Sequence, residues 1–214
     1  RSSDLVMLTK EEWQSQSYED RSRQLDVAYA YYHGQNYFRG GIWHDIPFIA
    51  DLIKQGSYRT ILDYGAGDGM MWKYFNQIQK DHIFLARHLH RNGYHLEADI
   101  YDPHNPNHDT IPSGKRWDIV MCNDVLEHVL IEDIPATLRH IFSLANKAVY
   151  LNISTQHASK RIVDEEGVEI TKQDLHVTVR DAMWWLDEIN KAEMHLRDKE
   201  NRFITVFTKF DKYV

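Results

Sequence analysis

The chain has 214 residues, enough for one substantial core with additions and too few for two full domains. Its 25 Lys and Arg against 32 Asp and Glu leave a formal charge of −7, so no overall positive field draws in a phosphate backbone, and nucleic acid is disfavoured as a partner. The single cysteine, Cys122, argues against disulfide and cysteine-rich zinc frameworks and fits a reducing compartment, the cytoplasm being the expectation; no apolar run approaches the roughly 18 residues that span a bilayer.

In chain order, Thr9-Lys10-Glu11-Glu12 has the capping-box pattern that opens a helix, and a helical segment is predicted over residues 9–33. After Gly40-Gly41, the apolar positions Ile46, Phe48, Ile49, Leu52 and Ile53 recur at helical spacing and stop near Gly56. Residues 1–56 therefore read as an N-terminal helical extension. Within it, residues 29–44 crowd Tyr29, Tyr32, Phe38 and Trp43 beside glycines, which suits either a lid over a crevice or plain packing.

From Tyr58 the period changes. Tyr58–Tyr64 reads as a buried strand, Met70–Gln79 as the helix after it, His95–Asp102 and Trp117–Cys122 as further strands. Ile134–Ala145, with Pro135 in its first turn, reads as a helix and Ala148–Ile153 as a fourth strand. Strands alternating with helices imply a mainly parallel sheet. Pro103–Gly114 is expected to be irregular, and Asp164-Glu165-Glu166-Gly167 to be a solvated turn. Ala182–Lys191 reads as the last helix, and Glu193–Arg197 with Phe203–Phe210 as an antiparallel hairpin turning at Asp198–Asn201.

Strand residues Ile61-Leu62-Asp63 run into Tyr64-Gly65-Ala66-Gly67-Asp68-Gly69, whose small residues permit sharp turns and let a ligand lie against the main chain. The third small position of the dinucleotide fingerprint is filled by Met70, which disfavours a nicotinamide or flavin dinucleotide. The segment instead resembles the first motif of class I S-adenosylmethionine-dependent methyltransferases, and Trp117–Val129 is similar to that family's fourth-strand motif. The resemblance covers about Thr60–Ile153 well and the chain's end loosely.

It implies a Rossmann-like class I methyltransferase sheet, mostly parallel with a C-terminal antiparallel hairpin, following the helical extension, with residues 57–214 as the S-adenosylmethionine-binding domain. The chain between Asp102 and Trp117 is too short for the family's usual helix and further edge strand, so one edge strand is expected to be missing. The implied cofactor is S-adenosylmethionine, held by Asp63, Tyr64, Gly65, Ala66, Gly67 and Asp68, by Asp102 and Pro103, and by Asn123, Asp124 and Val125. Asp102, at a strand end, suits the ribose hydroxyls, with Asp99 and Glu97 as fallbacks; Asp109, His108 and Ile111 are candidates near adenine.

Methyl transfer from a sulfonium is an in-line displacement that needs alignment and exclusion of water, and no metal. An oxygen or nitrogen nucleophile must lose a proton, for which a histidine is suited. His176, before Val177-Thr178-Val179-Arg180, ranks first as base and His128, in Leu126-Glu127-His128, second; the alternatives are a helix cap for His176 and a loop buttress for His128. The pairs His88/His90 and His104/His108 lack the accompanying ligands of a metal site. The expected partner is a small-molecule methyl acceptor; a protein or nucleic-acid acceptor, or a cofactor-binding module without turnover, are the alternatives. Oligomeric state is left open.

Overall fold

The computed structural model describes residues 7–35, 46–69, 72 and 93–211. Thr9 caps α1 (Lys10–Gln14) in the manner its sequence announces: its hydroxyl accepts the Glu12 N–H and the Glu12 carboxylate takes the Thr9 N–H. The single helix predicted over residues 9–33 is two helices, because Ser15 ends the first and the Ser17 side chain caps α2 (Tyr18–Gly34). Helix α3 (Ile46–Gln55) follows, burying Ile49, Ala50, Leu52 and Ile53. Phe38 and Trp43 of the aromatic stretch, and the helix expected over Met70–Gln79 apart from Trp72, lie outside the described residues.

The sheet begins with β1 (Thr60–Tyr64), β2 (Glu97–Tyr101) and β3 (Trp117–Asn123), the last running into a 3-10 turn at Leu126–His128. Helix α4 (Ile134–Leu144), with Pro135 in its first turn, leads to β4 (Ala145–Ser154). Then come the short β5 (Arg161–Val163) and β6 (Glu169–Asp174), helix α5 (Ala182–Glu200) and β7 (Thr205–Asp211). The main sheet has the order β2-β1-β3-β4-β7 and every pairing in it is parallel.

Alternate residues of the central strands serve two cores. Ile61, Ile119, Met121, Ala148 and Tyr150 pack with α3, while Leu62, Val120, Cys122, Val149 and Leu151 pack with Leu138, Ile141 and Phe142 of α4 and Trp185 and Ile189 of α5. A parallel sheet covered on both faces follows from strands that are apolar on both sides. Between β2 and β3 the chain is irregular, so among the described residues β2 is the edge, as the short Asp102–Trp117 interval required.

The C-terminal hairpin is a correction. Glu193–Arg197 belongs to α5, and β7 pairs parallel to β4. The five residues alternate polar and apolar, which mimics a strand, but Trp185, Ile189, Ala192 and Leu196 form one buried helical stripe through them. Asp198–Asn201 is accordingly the end of the helix, with Asn201 in the left-handed conformation at its cap. An antiparallel hairpin does occur, but earlier: β5 and β6 pair across the turn at Asp164–Gly167, where Asp164 Oδ1 accepts the N–H groups of Glu166 and Val168.

This hairpin is the seat of the N-terminal helices. Trp13, Leu25, Ala28, Tyr29 and Tyr32 are buried against Ile162, Val163 and Leu175, and Leu8 pairs with Thr171 as a parallel bridge. The Tyr32 hydroxyl donates to the Arg161 carbonyl at 2.9 Å. No helix among the described residues is long and apolar enough to cross a membrane.

Candidate functional site

The glycine loop leaves β1 at the carboxyl end of the sheet, where ligands of parallel sheets bind. Gly65 stands at φ +82°, and a Cβ there would meet Val125 Cγ2 at 2.3 Å, so only glycine lets the loop close on the segment after β3. The Gly65 and Ala66 N–H groups both donate to the Tyr101 carbonyl, at 2.7 and 3.0 Å. The Gly67 N–H donates to Asp102 Oδ2 at 2.8 Å, and the Asn105 amide donates back to the Gly67 carbonyl at 2.8 Å. Asp102 thus clamps the loop across to the end of β2. Its other oxygen accepts the His104 N–H at 2.9 Å and lies 3.5 Å from His33 Nε2, on α2.

Asp63, the acidic residue ahead of the loop, is buried and accepts the Trp72 Nε1–H at 2.7 Å. Burial raises its pKa to about 6, against the Trp72 hydrogen bond that lowers it, with the Asp102 charge adding to the rise. The second wall is the end of β3. Asp124 takes the left-handed conformation, φ +52°, which Asp tolerates better than most residues, and its N–H donates to the Asn152 carbonyl at 3.0 Å. The Asn123 and Asn152 amides donate to its carboxylate at 3.2 and 3.4 Å.

The third wall joins the 3-10 turn to the segment after β6. His128 Nδ1 lies 3.0 Å from the Leu175 carbonyl, and His176 Nδ1 2.5 Å from the Gln156 carbonyl. A carbonyl only accepts, so each Nδ1 carries the proton and each ring keeps its basic lone pair on Nε2. Burial, and then the neighbouring His176, lower the His128 pKa to about 3; burial lowers that of His176 as well, opposed by its carbonyl contact. The two rings meet edge to face with centroids 4.6 Å apart. The Thr178 N–H donates to the Glu127 carbonyl and its hydroxyl to the Val129 carbonyl, tying the two segments together.

These walls enclose one cavity of about 880 Å³, within the range of small-molecule sites. Tyr64, Gly65, Ala66, Gly67, Asp102, Pro103, Asn123, Asp124, Val125, His128 and His176 of the sequence-derived candidates line it, whereas Asp63 and Asp68 do not. Asp99 and Glu97, the fallbacks for the ribose, are both engaged by Lys115 instead. His108, Asp109 and Ile111 are also not among the lining residues.

Other lining residues were not among the expected site residues, although Tyr29 and His33 fall in the 29–44 stretch expected as a lid or as packing. Asp26, Tyr29 and His33 form a face of the cavity from α2, and Glu127 joins His128 and His176 in a cluster whose ligand-type atoms all lie within 4.8 Å of one another. The adjacency of Glu127 and His128 was visible in the sequence; their approach to His176 depends on the β5–β6 hairpin, which was not.

A family model described as a methyltransferase domain matches residues 36–211. A search of curated proteins finds no match. Among solved structures, one described as "PigF with SAH" is similar at 15% identity with a TM-score of 0.31, covering 80% of this chain; the chain spans 62% of that protein.

Proposed function

The chain belongs to the methyltransferase-domain family, and we propose that it is an S-adenosylmethionine-dependent enzyme that methylates an oxygen or nitrogen of a small molecule, with His176 removing the proton. One observation carries this reading: the glycine loop, the ends of β2 and β3, and the His176 segment line one continuous cavity. The residues present suit the cofactor. Gly65 lets the loop turn tightly against Val125 at the cavity's edge, Asp102 offers acceptor capacity for a diol, and Asn123 and Asp124 present polar groups at the adjoining strand end.

When bound, the cofactor supplies an electrophilic methyl on a positively charged sulfur. The protein's part is to align the nucleophile and keep water out. His176 Nε2 is a neutral acceptor because Nδ1 is committed to the Gln156 carbonyl, and its depressed pKa keeps the lone pair available at neutral pH. His128, buried more deeply and lower in pKa, is better suited to holding the wall. The remaining faces, from Asp26, Tyr29, His104 and Lys160, offer an acceptor molecule aromatic and hydrogen-bonding contacts.

The test is a panel of small hydroxyl and amine acceptors incubated with S-adenosylmethionine, scored by release of S-adenosylhomocysteine. His176→Ala is expected to lower kcat by about 10²-fold or more while cofactor affinity changes little. Unchanged turnover in that variant removes the base assignment.

A further inference from the structure

The methyl-transfer reading leaves the Glu127, His128 and His176 cluster over-equipped: one base would do, yet a carboxylate and two imidazoles converge. We propose that these three side chains bind a divalent first-row transition cation, such as Zn²⁺, Mn²⁺, Fe²⁺ or Co²⁺, which holds a hydroxyl of the acceptor. The proposal rests on the methyltransferase reading for its role and on the cluster alone for the site.

Geometry carries it. One ligand atom from each residue lies within 4.8 Å of the others. Metal–ligand bonds of about 2.0–2.2 Å place ligand atoms about 3–4 Å apart, so the side chains need to draw together by about an ångström. Both rings carry the second hydrogen bond that metal-binding histidines have: each Nδ1–H donates to a backbone carbonyl, of Leu175 and of Gln156, so Nε2 is the nitrogen that keeps its lone pair. Glu127 is fully buried, and its Oε1 accepts the Ser154 N–H at 3.1 Å, fixing the carboxylate on β4.

The supports are cross-linked as well. Thr178 bonds to Glu127 and Val129, which ties the turn to the His176 segment, and within that segment Asp174 Oδ1 accepts the His176 N–H at 3.0 Å. Two nitrogens and one oxygen favour a transition cation over Mg²⁺ or Ca²⁺, which prefer oxygen throughout. Three protein ligands leave coordination positions for other ligands, and all three residues line the cavity.

The consequence is a narrower substrate class. A hydroxyl bound to the cation loses its proton to solvent buffer, its oxygen lone pair forms the bond to the methyl carbon, and the C–S pair returns to sulfur as a neutral thioether. The cation then takes over the task assigned to His176 Nε2, and alcohols or phenols are preferred to amines.

The experiment uses the whole chain, stripped with a chelator and titrated with Co²⁺ and Zn²⁺. The expected result is one equivalent bound at about micromolar affinity, with visible ligand-field absorption from Co²⁺. His128→Ala, His176→Ala and Glu127→Gln are each expected to weaken binding at least about tenfold, while His157→Ala, on the same cavity wall, leaves it unchanged. In the unaltered chain, Mn²⁺ is expected to broaden the ring-proton resonances of His128 and His176 ahead of those of other histidines, a readout that needs no variant to fold.

No uptake at millimolar Co²⁺, uptake indifferent to all three substitutions, or broadening that spares His128 and His176 overturns the proposal. A parallel titration with S-adenosylhomocysteine in chelator separates the two readings. Cofactor binding without cation uptake defeats the cation site and leaves methyl transfer standing; cation uptake without cofactor binding supports the site and removes methyl transfer.

Discussion

Asp63 is held in the fold at a cost that its titration makes measurable. Its folded pKa of about 6 lies above the ordinary aspartate value of 3.8, so between those values the folded chain keeps a proton that the unfolded chain has released. Stability is therefore full below about pH 3.8 and is lost as pH rises through about 6, by up to about 3 kcal/mol at roughly 1.4 kcal/mol per unit. Asp63→Asn is neutral throughout and its amide oxygen can still accept the Trp72 Nε1–H. Without cofactor, that variant is expected to match the natural chain in Tm near pH 4 and to exceed it at pH 7; parallel Tm profiles across that range remove the assignment. Gly65 is constrained by space instead. Gly65→Ala forces a strained φ and a collision with Val125, and is expected to cost about 2 kcal/mol in urea unfolding and to abolish cofactor binding by calorimetry.

At the scale of elements, what was legible was whatever had a local cause. The β1 strand and glycine loop, the Thr9 capping box and the Pro135 helix start each lie within a few residues of the signal that announces them. Glu193–Arg197 was not legible, because five alternating residues satisfy a strand period and the helical stripe through Trp185, Ile189, Ala192 and Leu196 shows only over a longer window. The β5–β6 hairpin escaped because β5 has only three residues and β6, with Ile170 as its one apolar residue, shows no apolar alternation; both are stabilised from outside, by α1 and α2. The site inherits that limit: the glycine loop could be read, but the meeting of Glu127 and His128 with His176 depends on a tertiary dock. Trp13 tests the dock. It is 1% exposed and its Nε1–H donates to Gln24, so Trp13→Ala is expected to cost about 3–5 kcal/mol by chemical denaturation. Amide exchange is expected to rise first in residues 161–174 and to leave β1 and β3 protected; uniform loss of protection contradicts a separately docked hairpin.

Across the whole molecule, the cavity draws its walls from segments far apart in sequence: α2, the glycine loop, the end of β2, the turn after β3 and the chain around β6. These segments are held to one another by a few hydrogen bonds, such as Gly67 to Asp102 and Thr178 to Glu127 and Val129, so a ligand filling the cavity adds contacts that the protein alone lacks. Binding to the folded chain and not to the unfolded one stabilises by mass action, about 2.7 kcal/mol at 100 times the dissociation constant. For a chain of 214 residues this corresponds to a rise in Tm of about 5–10 °C with saturating S-adenosylhomocysteine. The rise is expected to vanish in Gly65→Ala, which forces the loop off Val125, and to persist in His176→Ala, which leaves the loop and Asp102 intact. A shift lost equally in both variants means that the His176 wall is part of the cofactor's seat rather than of the acceptor's, and that the division of the cavity into a cofactor end and an acceptor end is misplaced.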